Sequence, residues 1–329
     1  MPNWNELIFS DQPFSEKAAA VFNYQYQHNA VYRRFCDALN VVKKDNMRLW
    51  DIPLLPVKAF KEVDVTCRPE SDPDLTFKSS GTGDMQRSQH HVHDADLYRR
   101  SVLDGFRQFY DLDDAVILGY TPGYAENPHS SLIWMINELI KTDAIKKSRF
   151  LPLDEPLNQG EIDAIANSGR RIILFGAAFG LLDLIEISDV TLPSNSVVIE
   201  TGGMKTHKRE MSRFQMHEKI AESFGLNITR VHSEYGMCEL LSQAYATGGQ
   251  WFRSVPWMKV SVRDPQNPQI ELPPFQKGLL GVMDLANVHS CAFLLTGDRG
   301  VMDKDGRFKV LGRWNPKNMR GCNFLIDKD

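Results

Sequence analysis

The sequence predicts an α/β protein with a mostly parallel sheet flanked by helices and a small β subdomain near its C-terminal end. Apolar runs of strand length alternate with helical patterns through the middle of the chain, which is typical of a parallel sheet. After about residue 255, short apolar runs instead follow one another with Pro, Gly and Asp between them. Turns rich in glycine and hydroxyl side chains follow several of these runs and are the candidate binding loops.

The α/β part begins with a helix and an extended connector. Residues 15–40 carry apolar side chains at helical spacing, and Ser15 can cap this helix. Residues 52–60 contain two prolines and are therefore predicted to be extended. We then expect strands at 116–119, 171–175, 196–199 and 228–232, and helices at 130–140 and 208–224, the second ending at Gly225.

The β subdomain is predicted from four short strands, at 258–262, 281–285, 293–295 and 308–311. Asp305-Gly306 between the last two is a hairpin turn signal. These elements divide the chain into an α/β core with the N-terminal helix (1–255), a small β subdomain (256–313) and a short tail (314–329) that carries Cys322.

Composition and charge exclude several classes of protein. The 329 residues carry a net charge of −4, so no basic excess indicates binding to nucleic acid or to an anionic membrane. The N-terminal segment lacks the basic start and apolar core of a signal peptide. The most apolar stretch, 172–185, is too short to span a bilayer, and we therefore expect a cytoplasmic protein.

Cysteines and histidines do not form a recognisable metal-binding pattern. The five cysteines are scattered and lack CxxC spacing, which favours free thiols. His90, His91 and His93 lie close together, but no acidic or thiol partner follows at a ligand spacing, so a metal site there is disfavoured.

A glycine- and hydroxyl-rich segment is the first candidate binding loop. It consists of Ser79, Ser80, Gly81, Thr82 and Gly83. Glycines allow backbone N–H groups to approach an anion, and hydroxyls add donors, so the segment suits a phosphate. The alternative is a solvent-exposed turn, because the same residues are common in turns.

Three further segments carry candidate residues. Gly202-Gly203 follows a predicted strand and would let a flat ring lie against the backbone, unless it is a simple strand-to-helix connection. In Tyr235-Gly236-Met237-Cys238-Glu239, Tyr235 could stack on a base and Glu239 could hold Mg²⁺; alternatively, Tyr235 is a core residue and Glu239 starts a helix. Asp298 lies on a tight turn and could accept ribose hydroxyls, although surface turns look similar.

Taken in order, these segments resemble the adenylate-forming superfamily of acyl-CoA synthetases and luciferases. Ser79–Gly83 resembles its phosphate loop, Gly202-Gly203 its adenine-wall turn, and Tyr235-Gly236-x-x-Glu239 its aromatic–glycine–acid segment. Asp298 resembles its ribose-binding aspartate and Gly312-Arg313 its hinge. The resemblance implies ATP and Mg²⁺ as cofactors and the fold of that superfamily's large domain, with the usual C-terminal domain absent or reduced to a short tail.

Within the superfamily, the chain resembles the acyl-protein synthetases of the bacterial bioluminescence fatty-acid reductase complex. The shared segments include Glu200-Thr201-Gly202-Gly203 and the terminal Arg320-Gly321-Cys322. The resemblance implies that a fatty acid is activated as acyl-AMP and transferred to Cys322. The acyl group would then pass to a partner that resembles acyl-CoA reductases or to a carrier protein. Cys322, Glu239 and Arg313 are the expected catalytic residues.

Two alternatives remain at this point. The chain could be an acyl- or aryl-CoA ligase of the phenylacetate-CoA ligase type, or a non-catalytic relative that binds nucleotide. The second alternative is motivated by the continuation of the phosphate loop, Asp84-Met85-Gln86-Arg87, which lacks the family's lysine.

Overall fold

A computed structural model describes residues 2–41, 48–79, 87–122, 128–202 and 211–314 of the chain. The helices are α1 Trp4–Ile8, α2 Phe14–His28, α3 Ala30–Ala38, α4 Ala59–Glu62, α5 Ala95–Arg107, α6 Ser131–Lys141, α7 Gln159–Asn167, α8 Ala178–Ile187 and α9 Arg213–Ser223. The strands are β1 Leu55–Pro56, β2 Leu75–Lys78, β3 Gln89–Val92, β4 Ala115–Tyr120, β5 Arg149–Phe150, β6 Arg171–Ala177, β7 Val197–Thr201, β8 Val231–Tyr235, β9 Ala244–Ala246, β10 Arg253–Ser254, β11 Met258–Arg263, β12 Lys277–Asp284, β13 Phe293–Met302 and β14 Phe308–Arg313.

The larger sheet has seven strands in the order β10-β9-β8-β7-β6-β4-β5. Strands β5, β4, β6, β7 and β8 run parallel to one another, and β9 and β10 complete the sheet in antiparallel pairing. Helices α5 and α6 bury their apolar sides against one face, and α7, α8 and α9 cover the other. The α/β class predicted from the sequence is confirmed. Strands β4 and β6 contain the runs predicted as strands, and β7 overlaps its predicted run but begins one residue later, at Val197.

The second sheet is mostly antiparallel and has the order β1-β13-β12-β11, with β14 paired to β13. Strands β11, β13 and β14 contain the predicted short strands, and β12 overlaps the predicted run 281–285 but ends at Asp284. Only β1 is parallel to its neighbour, β13. The Asp305-Gly306 turn joins β13 to β14: Gly306 has a φ of +77°, and Asp303 Oδ1 accepts hydrogen bonds from the Asp305 and Arg307 amides at 2.9 Å each.

Three local predictions were wrong at their boundaries. The N-terminal helix is interrupted at Asn29, whose extended backbone ends α2 and whose side chain accepts a hydrogen bond from the Tyr32 amide to begin α3. The start of α2 also differs from the prediction, because the helix begins at Phe14, directly after Pro13, and Ser15 does not cap it. The strand expected at 228–232 starts only at Val231, because the Asn227 side chain caps a 3-10 turn at Ile228–Arg230. The connector 52–60 is not extended throughout, since it pairs as β1 and then enters α4.

Helix α2 packs on the antiparallel sheet. The ring of Phe22 lies 6.3 Å from that of Phe293 on β13, and Gln25 Nε2 donates to the carbonyl oxygens of Asn287 and Val288 at 2.9 and 2.8 Å. One continuous core therefore includes α2, both sheets and α5. The domain boundaries given above stay a prediction, and the tail from 315 onward lies outside the described residues.

No helix in the described ranges combines the length and the hydrophobicity that crossing a membrane requires. Cys36, Cys67, Cys238 and Cys291 are unpaired thiols, as the scattered spacing predicted.

Candidate nucleotide-binding site

The candidate phosphate segment follows strand β2 in the β2–β3 hairpin. The Ser79 amide donates to the Ser88 carbonyl at 3.1 Å, and the Ser88 amide donates back to Ser79 Oγ at 3.0 Å. Beside the hairpin, His129 Nδ1 donates to the Thr76 carbonyl at 2.9 Å, just before Ser130 caps helix α6. The base of the loop is thus closed and fixed. The remaining candidates, Ser80, Gly81, Thr82 and Gly83, lie outside the described residues, so their phosphate role stays a prediction.

Two neighbouring parallel strands bring the next candidates to one edge of the large sheet. Strand β7 ends at Thr201, which is paired with Glu234 near the end of β8. Gly202 follows β7 with a φ of +92°, a left-handed conformation that glycine adopts without strain. Gly236 follows β8 directly. Gly203 lies outside the described residues.

Tyr235, Asp298 and Arg313 form a hydrogen-bonded cluster beside this edge. The Tyr235 hydroxyl donates to Asp298 Oδ2 at 3.0 Å, and Arg313 Nε lies 3.0 Å from Asp298 Oδ1. Burial raises the pKa of Tyr235 well above its usual range, and the Asp298 charge adds to this, so the phenol stays protonated and donates. The structure therefore joins three candidates that are far apart in sequence.

The ring of Tyr235 is part of the core. It is 8% exposed, and it contacts Phe308 edge-on at 5.4 Å and Phe252 at 6.0 Å. These contacts agree with the alternative interpretation, in which Tyr235 is a core residue. Stacking of Tyr235 on a base stays a prediction, whereas its hydroxyl clearly orients Asp298.

Glu239 lies in a turn after β8, buried to 7% exposure. No helix begins there, because the described chain continues through a bend to β9, so the alternative that Glu239 starts a helix is wrong. Its carbonyl oxygen accepts a hydrogen bond from Asn287 Nδ2 at 2.8 Å, and burial, reinforced by the Glu239 charge, raises the pKa of the neighbouring Cys238 thiol.

Glu239 offers a single carboxylate, and its role as a magnesium ligand stays a prediction. Within the described ranges, no three His, Cys, Asp or Glu side chains gather as a metal site. Magnesium does not require such a cage, since it is commonly held by one or two carboxylates with phosphate oxygens and water. The histidines at 90, 91 and 93 have separate partners: Cys238 and Asn287 for the first, Thr76 and Asp64 for the second, and Thr66 and Ser71 for the third.

Buried carboxylates at the ends of β7 and β8 were not among the predicted site residues. Glu200 faces α9, where Arg213 Nε and His217 Nε2 lie 3.1 and 3.4 Å from its Oε1. Glu234 points to the other face and accepts a hydrogen bond from Thr201 Oγ1. Burial raises the pKa of Glu234 to about 7, against the opposing effect of that hydrogen bond. The available signal was a charged residue within an apolar strand pattern, in VVIET and VHSEY.

Comparison with known proteins identifies relatives on both sequence and structure. The family model "Acyl-protein synthetase, LuxE" matches residues 141–329. The long-chain-fatty-acid–luciferin-component ligase of Vibrio harveyi is 24% identical over 337 residues, which cover 95% of this chain and 87% of the ligase.

Solved structures share the fold at low sequence identity. An open conformation of 2-hydroxyisobutyryl-CoA ligase with 2-HIB-AMP and CoA has a TM-score of 0.66 and 15% identity, covering 91% of this chain and 69% of the ligase. ATP-bound MatB from Rhodopseudomonas palustris has a TM-score of 0.50 and 16% identity, and the match covers 74% of this chain and 49% of MatB. The adenylate-forming fold expected from the motifs is therefore confirmed, and with the family model matching more than half of its length, the chain belongs to the LuxE acyl-protein synthetase family.

Proposed function

We propose that the protein uses ATP to activate a long-chain fatty acid as acyl-AMP and then transfers the acyl group to Cys322. The observation that carries the proposal is the Tyr235–Asp298–Arg313 cluster at the edge of the parallel sheet, in a chain of this family. The name of the Vibrio harveyi relative, a long-chain-fatty-acid ligase, supports the substrate class.

Asp298 is suited to accept the ribose hydroxyls of ATP. A carboxylate offers about four lone-pair sites, and the contacts with Tyr235 and Arg313 occupy one on each oxygen. Two sites therefore remain for the two hydroxyls. The contact with Tyr235 holds the carboxylate plane, so little rotational freedom is lost when the nucleotide binds.

The first half-reaction forms the mixed anhydride. A carboxylate oxygen of the fatty acid attacks the α-phosphorus of ATP, and the bond from that phosphorus to the pyrophosphate oxygen breaks. Backbone donors of the Ser79–Gly83 loop stabilise charge on the phosphate oxygens, which is the main catalytic contribution in such transfers. Magnesium held by Glu239 would neutralise phosphate charge when bound.

The second half-reaction captures the acyl group before water can hydrolyse it. The Cys322 thiol releases its proton to solvent, the thiolate attacks the acyl carbonyl carbon, and the bond from that carbon to the AMP oxygen breaks, so that AMP leaves. Arg320 is close in sequence and favours the thiolate. The thioester would then be delivered to a partner reductase or a carrier protein.

The test combines two measurements on the full chain. Fatty-acid-dependent exchange of pyrophosphate into ATP reports the first half-reaction, and intact mass after incubation with ATP and acid reports the acyl adduct. We expect Cys322→Ser to keep the exchange and lose the adduct, while Cys36→Ser, at a buried thiol, keeps both. An adduct that persists in Cys322→Ser contradicts the assignment of the acceptor.

The same assays separate the two alternative functions. Formation of acyl-CoA by the isolated protein would identify a CoA ligase, whose fold this chain shares. A melting temperature that rises with ATP, without AMP formation from any acid in a broad panel, would identify a non-catalytic nucleotide-binding relative.

A further inference from the structure

His90 is a fully buried side chain that links two parts of the candidate site. It lies on β3, the strand that returns from the phosphate hairpin. Its Nδ1 donates to the Cys238 carbonyl at 2.7 Å, and its Nε2 lies 2.9 Å from Asn287 Oδ1. The ring also meets Phe60 edge-on at 5.5 Å. These three contacts fix both the position and the plane of the imidazole.

The neighbouring amide of Asn287 has a defined orientation. Its Nδ2 donates to the carbonyl oxygens of Glu239 and Cys291 at 2.8 and 2.9 Å. Turning the amide around would place Oδ1 against two carbonyl oxygens, which offer it no donor. Oδ1 therefore faces His90, and both polar ends of Asn287 are used.

The turn that carries Asn287 is itself held by helix α2. Gln25 is fully buried; its Nε2 donates to the Asn287 and Val288 carbonyls, and its Oε1 accepts from the Ala292 amide at 3.0 Å. Asn29 Nδ2 adds a hydrogen bond to the Ser290 carbonyl at 2.9 Å. Gln25, Asn287 and His90 thus lie in contact with one another from α2 to the hairpin. His90 donates to the Cys238 carbonyl and Asn287 donates to the Glu239 carbonyl, so the two side chains bind consecutive backbone groups.

We propose that His90 and Asn287 are positioning residues, which fix the backbone of Cys238 and Glu239 relative to the phosphate hairpin. They thereby hold the Glu239 carboxylate where it can share a magnesium ion with the phosphates of ATP. This inference rests on the proposed function. The electrostatic influences on His90 oppose one another: burial lowers its pKa, whereas the Cys238 carbonyl and the Glu239 charge raise it. Both partners of the ring are acceptors: the neutral ring with its proton on Nδ1 keeps the hydrogen bond to the Cys238 carbonyl, and only the protonated ring also donates to Asn287 Oδ1. The positioning role needs the bond to Cys238, which both forms make.

The main test compares His90→Phe with His90→Gln and with a histidine nearby. Phe fills the ring volume without donors, and Gln restores a donor toward Cys238. His93→Gln is the matched control, because His93 is also buried in this region but bonds to Thr66 and Ser71 instead of the Glu239 segment. Asn287→Ser tests the contact between Asn287 and the Glu239 carbonyl. It still allows the proposal to be tested if His90→Phe does not fold.

We expect His90→Phe and Asn287→Ser to raise the Mg²⁺ concentration for half-maximal pyrophosphate exchange by about tenfold and to lower kcat by about ten- to a hundredfold, because displaced supporting groups have effects of this size. KM for the fatty acid should change less than threefold. His90→Gln should recover part of the loss, and His93→Gln should match the wild type in its Mg²⁺ dependence.

A binding readout separates failure of this inference from failure of the proposed function. Calorimetric titration with ATP, in Mg²⁺ and in EDTA, measures the Mg²⁺-dependent part of nucleotide affinity without turnover. The positioning role is overturned if His90→Phe and Asn287→Ser both fold and keep the wild-type Mg²⁺ dependence. If only one of them folds, it is judged together with His90→Gln, and wild-type Mg²⁺ dependence in both overturns the role. If the wild type binds Mg²⁺ and ATP together but catalyses no acid-dependent exchange, the proposed function fails while the positioning role is still judged by binding. A wild type whose affinity for ATP is independent of Mg²⁺ overturns the positioning role outright.

Discussion

Glu234→Gln should stabilise the protein at neutral and alkaline pH. The carboxyl group of Glu234 is buried, accepts a hydrogen bond from Thr201 Oγ1 and lies close behind Gly236, where an added Cβ would come within 2.4 Å of its Oε1. The glutamine amide has nearly the same shape and can keep its oxygen toward Thr201. The substitution therefore removes the ionisation and changes little else.

The magnitude follows from the raised pKa. Burial raises the pKa of Glu234 to about 7 from its ordinary value of 4.5, and the nearby negative charge of Glu200 acts in the same direction, while Thr201 and Arg213 oppose it. The folded state thus retains a proton that the unfolded chain releases, so stability falls as pH rises from 4.5 to 7 and is level beyond that. A shift of this size corresponds to roughly 3 kcal/mol of lost stability.

Urea unfolding at a series of pH values measures this contribution. The free energy of unfolding of Glu234→Gln minus that of the wild type should be about 3 kcal/mol greater at pH 8 than at pH 4.5. The pH dependence from other groups, such as His232 and His289, whose pKa values burial lowers, cancels in the difference. Glu222→Gln, at an exposed position of α9, is the control. A difference that does not change with pH would refute the reasoning.

Three further predictions concern stability and nucleotide binding. Phe293→Ala removes a fully buried ring stacked on Tyr32 at 5.9 Å and should cost about 3–5 kcal/mol in urea unfolding, with a loss below 1 kcal/mol contradicting its core role. Gly312→Ala should cost about 1 kcal/mol, because φ is +98° there although no atom lies within 4 Å of an added Cβ; an unchanged melting temperature would exclude this strain. Tyr235→Phe removes the hydrogen bond to Asp298 and should weaken the ATP affinity measured by calorimetry about tenfold, because hydrogen bonds to charged groups contribute about 1.5–3 kcal/mol. Wild-type affinity in this variant would count against Asp298 as the ribose acceptor.

The strands of the large sheet were predictable because their signal is local. β4, β6 and β7 are short, continuous apolar runs, as expected for strands covered by helices on both faces. The break between α2 and α3 was missed because apolar residues continue at helical spacing through it. What separates the two helices is Asn29, whose extended backbone ends α2 and whose side chain caps the start of α3. Its side-chain amide also donates to the Ser290 carbonyl, more than two hundred residues away.

The sequence named residues that lie together in the structure, but it did not contain their contacts. The residue types and order of Tyr235, Asp298 and Arg313 indicated one binding site, and the structure does bring these three together. The sequence contained no sign that Tyr235 and Arg313 hold the two oxygens of Asp298. The sequence indicated His90 only as a possible metal ligand. It did not show that this side chain donates to the Cys238 carbonyl, next to Glu239.

By itself the sequence determined the α/β class, the main strands and the family resemblance, because these depend on local periodicity and on motifs in a fixed order. Only the tertiary structure decided that α2 packs against the antiparallel sheet, that Glu234 is isolated from water, and that Gln25, Asn287 and His90 form a connected support for Glu239. These features depend on which side chains meet across long sequence separations. A buried polar group is stable only where such partners satisfy it, and a linear pattern does not contain that information.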